Sequence, residues 1–396
     1  VAAITLAESL GGENVAIFER NERVGKKLIL TGNGQCNISN LAVKTDRYHG
    51  VNPEFARNAL SAHGYAELKE FFGNLGVPLV SDNDKVYPLS RQASAVLDAL
   101  RLRFDFLKVN LFTGEKVAVA AKTAKGDDGE VFIVKTDSSK TFYGKNLLLA
   151  SGGCVAPQTG SDGAGYALAK SFGHSVTALY PSIGKLPCDK NKIKGLAGIK
   201  QQAEITLKQS GRIVAKARGD VLFSQDAISG NAAFNISSHF AGCGSGEAVV
   251  DFCPDISGET LTAYLIKKLE ACPYLTVAEL FGGVINKKAA EAVIRNSTGI
   301  NPLAPASIGA IPKTVQAVKN YCVPLKPMVD FVGAQVTRGG VKTADVNDET
   351  MESKLVKNLY FAGEVLDTDA YPGGFNLQIA FSTGAAAGRG AAAGKK

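Results

Sequence analysis

Apolar positions recur along this chain with two different periods, and the changes between them outline its elements. In residues 1–10, Ala3, Leu6, Ala7 and Leu10 fall at helical spacing and Gly11-Gly12 follow as a stop, so a helix is expected there. Val15, Ala16, Ile17 and Phe18 then form a short apolar run closed by Glu19, the pattern of a buried strand with an acid at its end. Residues 53–78 and 90–107 read as helical, with Tyr87-Pro88 as the break between them. Three strands are expected over 109–123, 130–136 and 141–150, separated by Gly126-Asp127-Asp128-Gly129 and by Ser138-Ser139. Beyond Pro181 the pattern changes. Ile199, Ala203, Ile205 and Leu207 sit in an alternating stretch, Gly211 turns the chain, and 212–224 continue as strand. A helical region from about 257 to 320 is interrupted by Pro273, Pro302, Pro305 and Pro312. The chain closes with LYFAGEVLDTDAYPGGFNLQIAFSTG (359–384), an apolar run followed by a glycine-rich loop and a helix opening near Asn376, which the Ala/Gly-rich tail continues.

These elements place the chain in the α/β class, with a β-rich and then helical segment interrupting a dinucleotide-binding scaffold. Helix, tight turn, apolar strand and terminal acid form the second half of a βαβ nucleotide-binding unit, whose acid takes ribose hydroxyls about twenty residues after a glycine fingerprint. Counting back from Glu19, a first strand and its G-x-G-x-x-G turn are expected to precede residue 1. The boundaries follow: 1–186 as the first part of the scaffold, 187–324 as an insertion (β-rich to about 255, helical after), and 325–396 as its second part.

Composition narrows the class. At 396 residues and 45% hydrophobic, the chain is large enough for two or three globular domains. No run approaches the ~18 apolar residues of a membrane span, so no membrane partner is expected. Seven cysteines, an odd number without CxxC, suit a reducing cytoplasm. The net charge of +7 is spread without a polybasic block or stacked-aromatic motif, which gives nucleic-acid binding little support. The expected partner is a small-molecule substrate; oligomeric state is not readable. His49, His63, His174 and His239 have neither metal-site nor triad spacing.

The candidate chemistry gathers at the two ends. In NERVGKKLILTGNGQCNISN (21–40), Lys26 and Lys27 suit a pyrophosphate, and Gly32 and Gly34 open a loop whose amides can approach a cofactor. Read alone, the two lysines are better described as a solvated basic turn. In the last segment, Gly363-Glu364 ends a strand with an acid for sugar-like hydroxyls. Gly373-Gly374 lets backbone meet a flat ring, and the helix from Phe375, Asn376 and Leu377 turns its N-terminus toward developing negative charge.

Together these segments resemble the bacterial FAD flavoprotein family that includes aminoacetone oxidase and BaiN-type bile-acid reductase. That family shows an acid-ended strand, then GKK, then a TGNGRCN-like loop, and closes with AGE-x-LD…GG-[FY]-NLQ. LLLASGG (147–153), TGSDGAGYALAKSFGH (159–174), GDVLFSQDAISG (219–230) and the approach from TRGGV to LYFAGE (337–364) carry the resemblance along most of the chain. Gln35 stands where Arg is usual and Gln225 where His is usual, and Tyr371-Pro372 precedes the double glycine. These departures bear on the substrate more than on the cofactor.

The resemblance implies a glutathione-reductase-type Rossmann-like FAD domain, discontinuous, with an inserted domain. It implies FAD contacts from Glu19, Arg20, Lys26, Lys27, Gly32, Asn33, Gly34, Gln35, Cys36, Asn37, Ala150, Ser151, Gly152, Gly363, Glu364, Gly373, Gly374, Phe375, Asn376 and Leu377, with Val117 holding adenine through its backbone. No second glycine fingerprint marks a nicotinamide domain, so NAD(P)H would dock transiently. The activity expected is hydride transfer through flavin N5, either amine oxidase-like or as a reductase of an activated C=C bond; a non-catalytic flavin protein is the third reading. No catalytic acid or base is singled out. Tyr371 can reach the ring's edge or can simply pack.

Overall fold

The computed structural model describes residues 1–124 and 130–394. The expected turn at Gly126-Asp127-Asp128-Gly129 lies outside the described residues. The chain divides into two compact units, Val1–Tyr180 with Gln335–Lys396, and Pro181–Ala334.

In the first unit, the helix Ala2–Leu10 stops at Gly11, whose φ of +84° is cheap only without a side chain. Its next strand, Ala16–Glu19, pairs in parallel with Asn110–Thr113, aligning Glu19 with Thr113. A second parallel pair joins Leu147–Leu149 to Leu359–Phe361, so strands more than two hundred residues apart run side by side. Leu359, Tyr360 and Phe361 are all buried, and their unbroken apolar run reflects a strand covered on both faces. Val117–Ala124, Glu130–Thr136 and Thr141–Gly144 form a separate antiparallel meander.

Four expected boundaries change. The strand anticipated over 109–123 is two strands, because Gly114 takes φ +70° and turns the chain out of the parallel pair into the meander. The strand over 141–150 likewise divides into Thr141–Gly144 and Leu147–Leu149. Tyr87-Pro88 is no simple break. It ends a strand, Lys85–Pro88, which pairs with Leu79–Asp82 across a two-residue turn whose Asn83 and Asp84 both have positive φ. The helical stretch 53–78 contains two helices, Ala56–Ala62 and Tyr65–Asn74, separated at His63-Gly64.

The last helix, Phe375–Ala393, is the spine of this unit. An added Cβ on Gly388 would lie 2.9 Å from Thr5 Cβ, so the Ala/Gly-rich tail is small because the first helix runs close against it. No helix among the described residues is long and apolar enough to cross a membrane.

The second unit holds a six-stranded sheet in the order 186–187, 227–229, 212–223, 200–209, 246–251, 321–325, with every neighbour antiparallel. Along Lys200–Gln209, Ala203, Ile205 and Leu207 are fully buried while their neighbours are more open, the period-two pattern of a sheet with one covered face. The cover comes from helices with side-chain caps. Ser257 Oγ accepts from Thr260 N at 3.1 Å ahead of Gly258–Ala271, and Asn286 caps Lys287–Thr298. Pro312 sits in the first turn of Ile311–Lys319, where its missing N–H costs nothing, rather than breaking that helix. One apolar cluster, from Leu186 to Met328, fills this unit, and the clusters of the first unit share no residue with it.

Candidate functional site

The loop after Thr31 is wound by local sequence. Gly32, Asn33, Gly34 and Cys36 have φ of +57°, +54°, +82° and +57°, a left-handed run that glycine and asparagine tolerate. Gln35 N bonds Gly32 O at 3.1 Å and Cys36 N bonds Thr31 O at 3.0 Å, closing the turn and leaving Gly32, Asn33 and Gly34 exposed. Cys36 itself points inward. It is 0% exposed within the cluster of Ile4, Ile38, Leu68 and Phe72, and burial raises its thiol to about 11. Asn37 ends the loop with a buried Oδ1 that has no hydrogen-bond partner among the described residues.

This loop is stitched to the terminal glycines. Asn40 Nδ2 donates to Gly373 O at 2.9 Å, Ser39 Oγ to Gln378 Oε1 at 2.5 Å, and Tyr48 Oη to Phe375 O at 3.2 Å. Gly374 has φ +100°, and the space where a Cβ would stand is taken by the Ser39 carbonyl, with Asn37 Oδ1 at 2.8 Å. The close approach that requires a glycine here is therefore made by protein backbone. Asn376 fixes the preceding loop, accepting from Ala370 N and donating to Ala370 O, both at 2.9 Å. Phe375 turns its ring into the core beside Tyr48, Ala56 and Ile379, while Leu377 is half-buried.

A second link joins the chain's two ends. Lys27 Nζ lies 2.6 Å from Glu364 Oε2, across 337 positions, and 3.4 Å from Val155 O. Glu364 Oε1 accepts from Thr337 N at 2.7 Å, and Thr337 Oγ1 accepts from Cys154 N and Val155 N at 2.9 and 3.1 Å. Thr337 thus ties the turn after Ala150-Ser151-Gly152 to the acid of the last strand, a role the sequence did not single out. Gly363, at φ +74°, donates its N–H to Thr383 Oγ1 at 3.0 Å. Lys26 is exposed and joins no ion pair among the described residues.

At the other end, Glu19 Oε1 accepts from both Asn21 N and Asn21 Nδ2 at 2.8 Å, and Arg20 pairs with Asp162. Glu115 N bonds Glu19 O at 3.0 Å, which brings the start of the meander to the strand end. Val117 lines a cleft of about 390 Å³ together with Lys116, Ala118, Asp137, Ala164 and Leu168. Ala150 and Ser151 are exposed and Gly152 is half-buried with φ +74°. Among the described residues no three His, Cys, Asp or Glu side chains gather as metal ligands.

One polar cluster beside the double glycine went unmarked in the sequence. Arg338 grips Asp369 with two N–H groups, Nε at 3.2 Å from Oδ1 and Nη2 at 3.1 Å from Oδ2. Asp369 is 1% exposed, and burial pushes its carboxyl upward against the pull of that guanidinium. Asp369 pairs across strands with His49, whose ring meets Tyr371 edge-on at 4.5 Å. The available signal was the pairing of TRGG with LDTDAY, two segments about thirty residues apart.

Comparison with known proteins adds to this geometry. Residues 1–390 match the family model described as HI0933-like protein Rossmann domain. The chain is 36% identical to the 3-dehydro-bile acid delta(4,6)-reductase of Clostridium scindens, over 99% of this chain and 96% of that protein. It is 25% identical to the ribosomal RNA dihydrouridine synthase of Haemophilus influenzae, over 94% of this chain and 91% of that protein. Among solved structures, it is similar in fold to 3-ketosteroid-delta4-(5alpha)-dehydrogenase from Rhodococcus jostii RHA1. The TM-score is 0.50 at 14% identity, covering 99% of this chain and 94% of that one. The chain belongs to the HI0933-like family of Rossmann-domain proteins, and it is an FAD-dependent oxidoreductase.

Proposed function

We propose that this protein is a reductase that uses FAD to saturate a C=C bond conjugated with a carbonyl, acting on a small molecule of the oxo-steroid class. The observation that carries the reading is the 36% identity, over 99% of the chain, to a protein named for reducing the delta(4,6) system of a 3-dehydro-bile acid. The more distant dihydrouridine synthases point to the same bond chemistry, since dihydrouridine is uridine with its C5–C6 bond saturated beside a carbonyl.

The residues fit the cofactor. Asn37 Oδ1 is a buried acceptor lacking a donor, next to exposed backbone at Gly32–Gly34 and half-exposed backbone at Gly373-Gly374. A ring N–H or ribityl O–H satisfies it, and an unsatisfied buried acceptor costs about 1–3 kcal/mol. On this reading Glu19 holds adenosine-ribose hydroxyls and Val117 borders the adenine. Lys27 and Glu364 meet the pyrophosphate and ribityl chain as a pair, and the first turn of Phe375–Ala393 faces the ring. When bound, FAD supplies two electrons as a hydride equivalent at N5. The chain's own residues bind it, exclude water and orient the substrate. A reduced nicotinamide that docks transiently is the proposed electron donor.

The test is anaerobic. Enzyme reduced with NADH, NADPH or dithionite is mixed with 3-oxochola-4,6-dien-24-oic acid, and return of the oxidised flavin spectrum with loss of the dienone absorbance is expected. A reduced spectrum that persists with this dienone but returns with air, in an enzyme bleached by a small amine, replaces the reading with the amine-oxidase one.

A further inference from the structure

Adding hydride to one carbon of a C=C bond leaves the neighbouring carbon needing a proton, and the cluster beside Gly373-Gly374 contains a group suited to give it. Tyr371 is half-buried, two residues before Gly373. Its position is fixed from several sides. Its N–H bonds Arg47 O at 3.2 Å, its carbonyl accepts from Asn376 Nδ2 at 3.3 Å, and its ring stands at 82° to His49. Arg338 is held through Nε and Nη2 by Asp369, which opens the two-residue strand Asp369–Ala370 leading directly into Tyr371, and Nη1 stays outside that fork.

We propose that Tyr371 is the proton donor of the reductive half of the reaction, and that Arg338, oriented by buried Asp369, is its positioning residue. The proposal rests on the reductase reading above. In the step, the C=C π bond breaks and the β-carbon gains a C–H bond from the hydride equivalent, whose two electrons came from reduced nicotinamide. The α-carbon takes the phenolic proton of Tyr371. The resulting phenolate is reprotonated from solvent. A phenol is well matched to this task when it stays neutral before the step and its anion is supported during it. Burial raises the Tyr371 phenol above its ordinary value; Arg338 and Arg47 oppose that shift, while Asp46 and Asp369 reinforce it. Asp369 spends its charge on Arg338, which leaves that guanidinium as a fixed cation near the phenol.

Tyr371→Phe removes the proton and keeps the ring against His49. The variant and the parent are purified with FAD, reduced anaerobically with dithionite, and mixed with 3-oxochola-4,6-dien-24-oic acid. Their FAD content, melting temperature and substrate-induced perturbation of the oxidised flavin spectrum are measured alongside. The expected result is reoxidation slowed roughly 100-fold or more, the range for loss of a general acid, with FAD content and spectral Kd within about threefold of the parent. In D2O the parent's reoxidation slows and its product carries one deuterium at the α-carbon. Parent-like reoxidation by Tyr371→Phe overturns the proposal, as does a variant that has lost substrate binding in the spectral titration. If the parent itself is not reoxidised by the dienone, the reductase reading falls first, and the proton donor falls with it.

Discussion

At the scale of single residues, most of the site side chains do two things, and the predictions separate them. Glu19 spends one carboxylate oxygen on Asn21, which shapes the turn, and keeps Oε2 outside those bonds. Glu19→Ala is therefore expected to lower the FAD retained through purification more than it lowers the melting temperature in excess FAD; equal occupancy in variant and parent rules out a cofactor contact. Cys36 illustrates the reverse. Its place in the expected flavin loop makes it the one thiol to watch, and the side chain is the buried, inert kind, belonging wholly to the core. A thiol raised from 9 to about 11 stays neutral in the native state. Its contribution to stability is full below about pH 9 and is lost as pH rises through about 11. At pH 8, Cys36 should accordingly resist a thiol reagent on the timescale in which exposed Cys322 reacts, and label only as the protein unfolds. Mass spectrometry of the labelled peptides checks it; early modification of Cys36 contradicts its burial. The motif was legible in sequence because glycine and asparagine announce positive φ. The direction of each side chain was not, because inward and outward positions of an irregular loop follow no period.

Among the elements, the last helix shows how a composition that looks featureless can be dictated by packing. Its N-terminal glycine is constrained by the Ser39 carbonyl and its tail by the first helix. Gly374→Val is thus expected to disrupt the junction of the two motifs and reduce soluble, folded protein, rather than act as a selective probe of a ring. Gly388→Val is milder. It pushes two methyls toward Thr5 and should cost about 1–3 kcal/mol, as overpacking usually does. Urea unfolding measures this, and an unchanged midpoint means the first helix does not pack there. The strands of the parallel pairs were visible as apolar runs, because buried parallel strands lose their alternation. The hairpin Leu79–Asp82 with Lys85–Pro88 was hidden behind Pro88, a residue read as a breaker that here merely ends a strand. Gly114 was the opposite error: one strand pattern continued through a glycine at which the backbone changes direction.

For the whole molecule, the decisive fact is that the two units fill separate apolar cores, while every residue proposed to hold FAD lies in the unit formed by Val1–Tyr180 and Gln335–Lys396. The link between the ends of the chain, Lys27 with Glu364 and Asn40 with Gly373, exists only once both segments of that unit are folded. Any ligand held by those segments must then stabilise their junction, because it binds the folded arrangement and has no counterpart in the separated strands. At a free concentration one hundred times Kd, such a ligand contributes about 2.7 kcal/mol. Hydrogen exchange followed by mass spectrometry, with FAD removed and then restored, reads where that free energy appears. The expected pattern is strong added protection in peptides spanning 26–40, 147–155 and 359–380, and little in those spanning 200–223, 246–251 and 321–325. The middle unit has its own sheet, its own capped helices and its own core, so it gains nothing directly from the cofactor. Equal added protection throughout would mean that the two units unfold as one, and that the flavin's stabilising effect is not confined to the residues assigned to it.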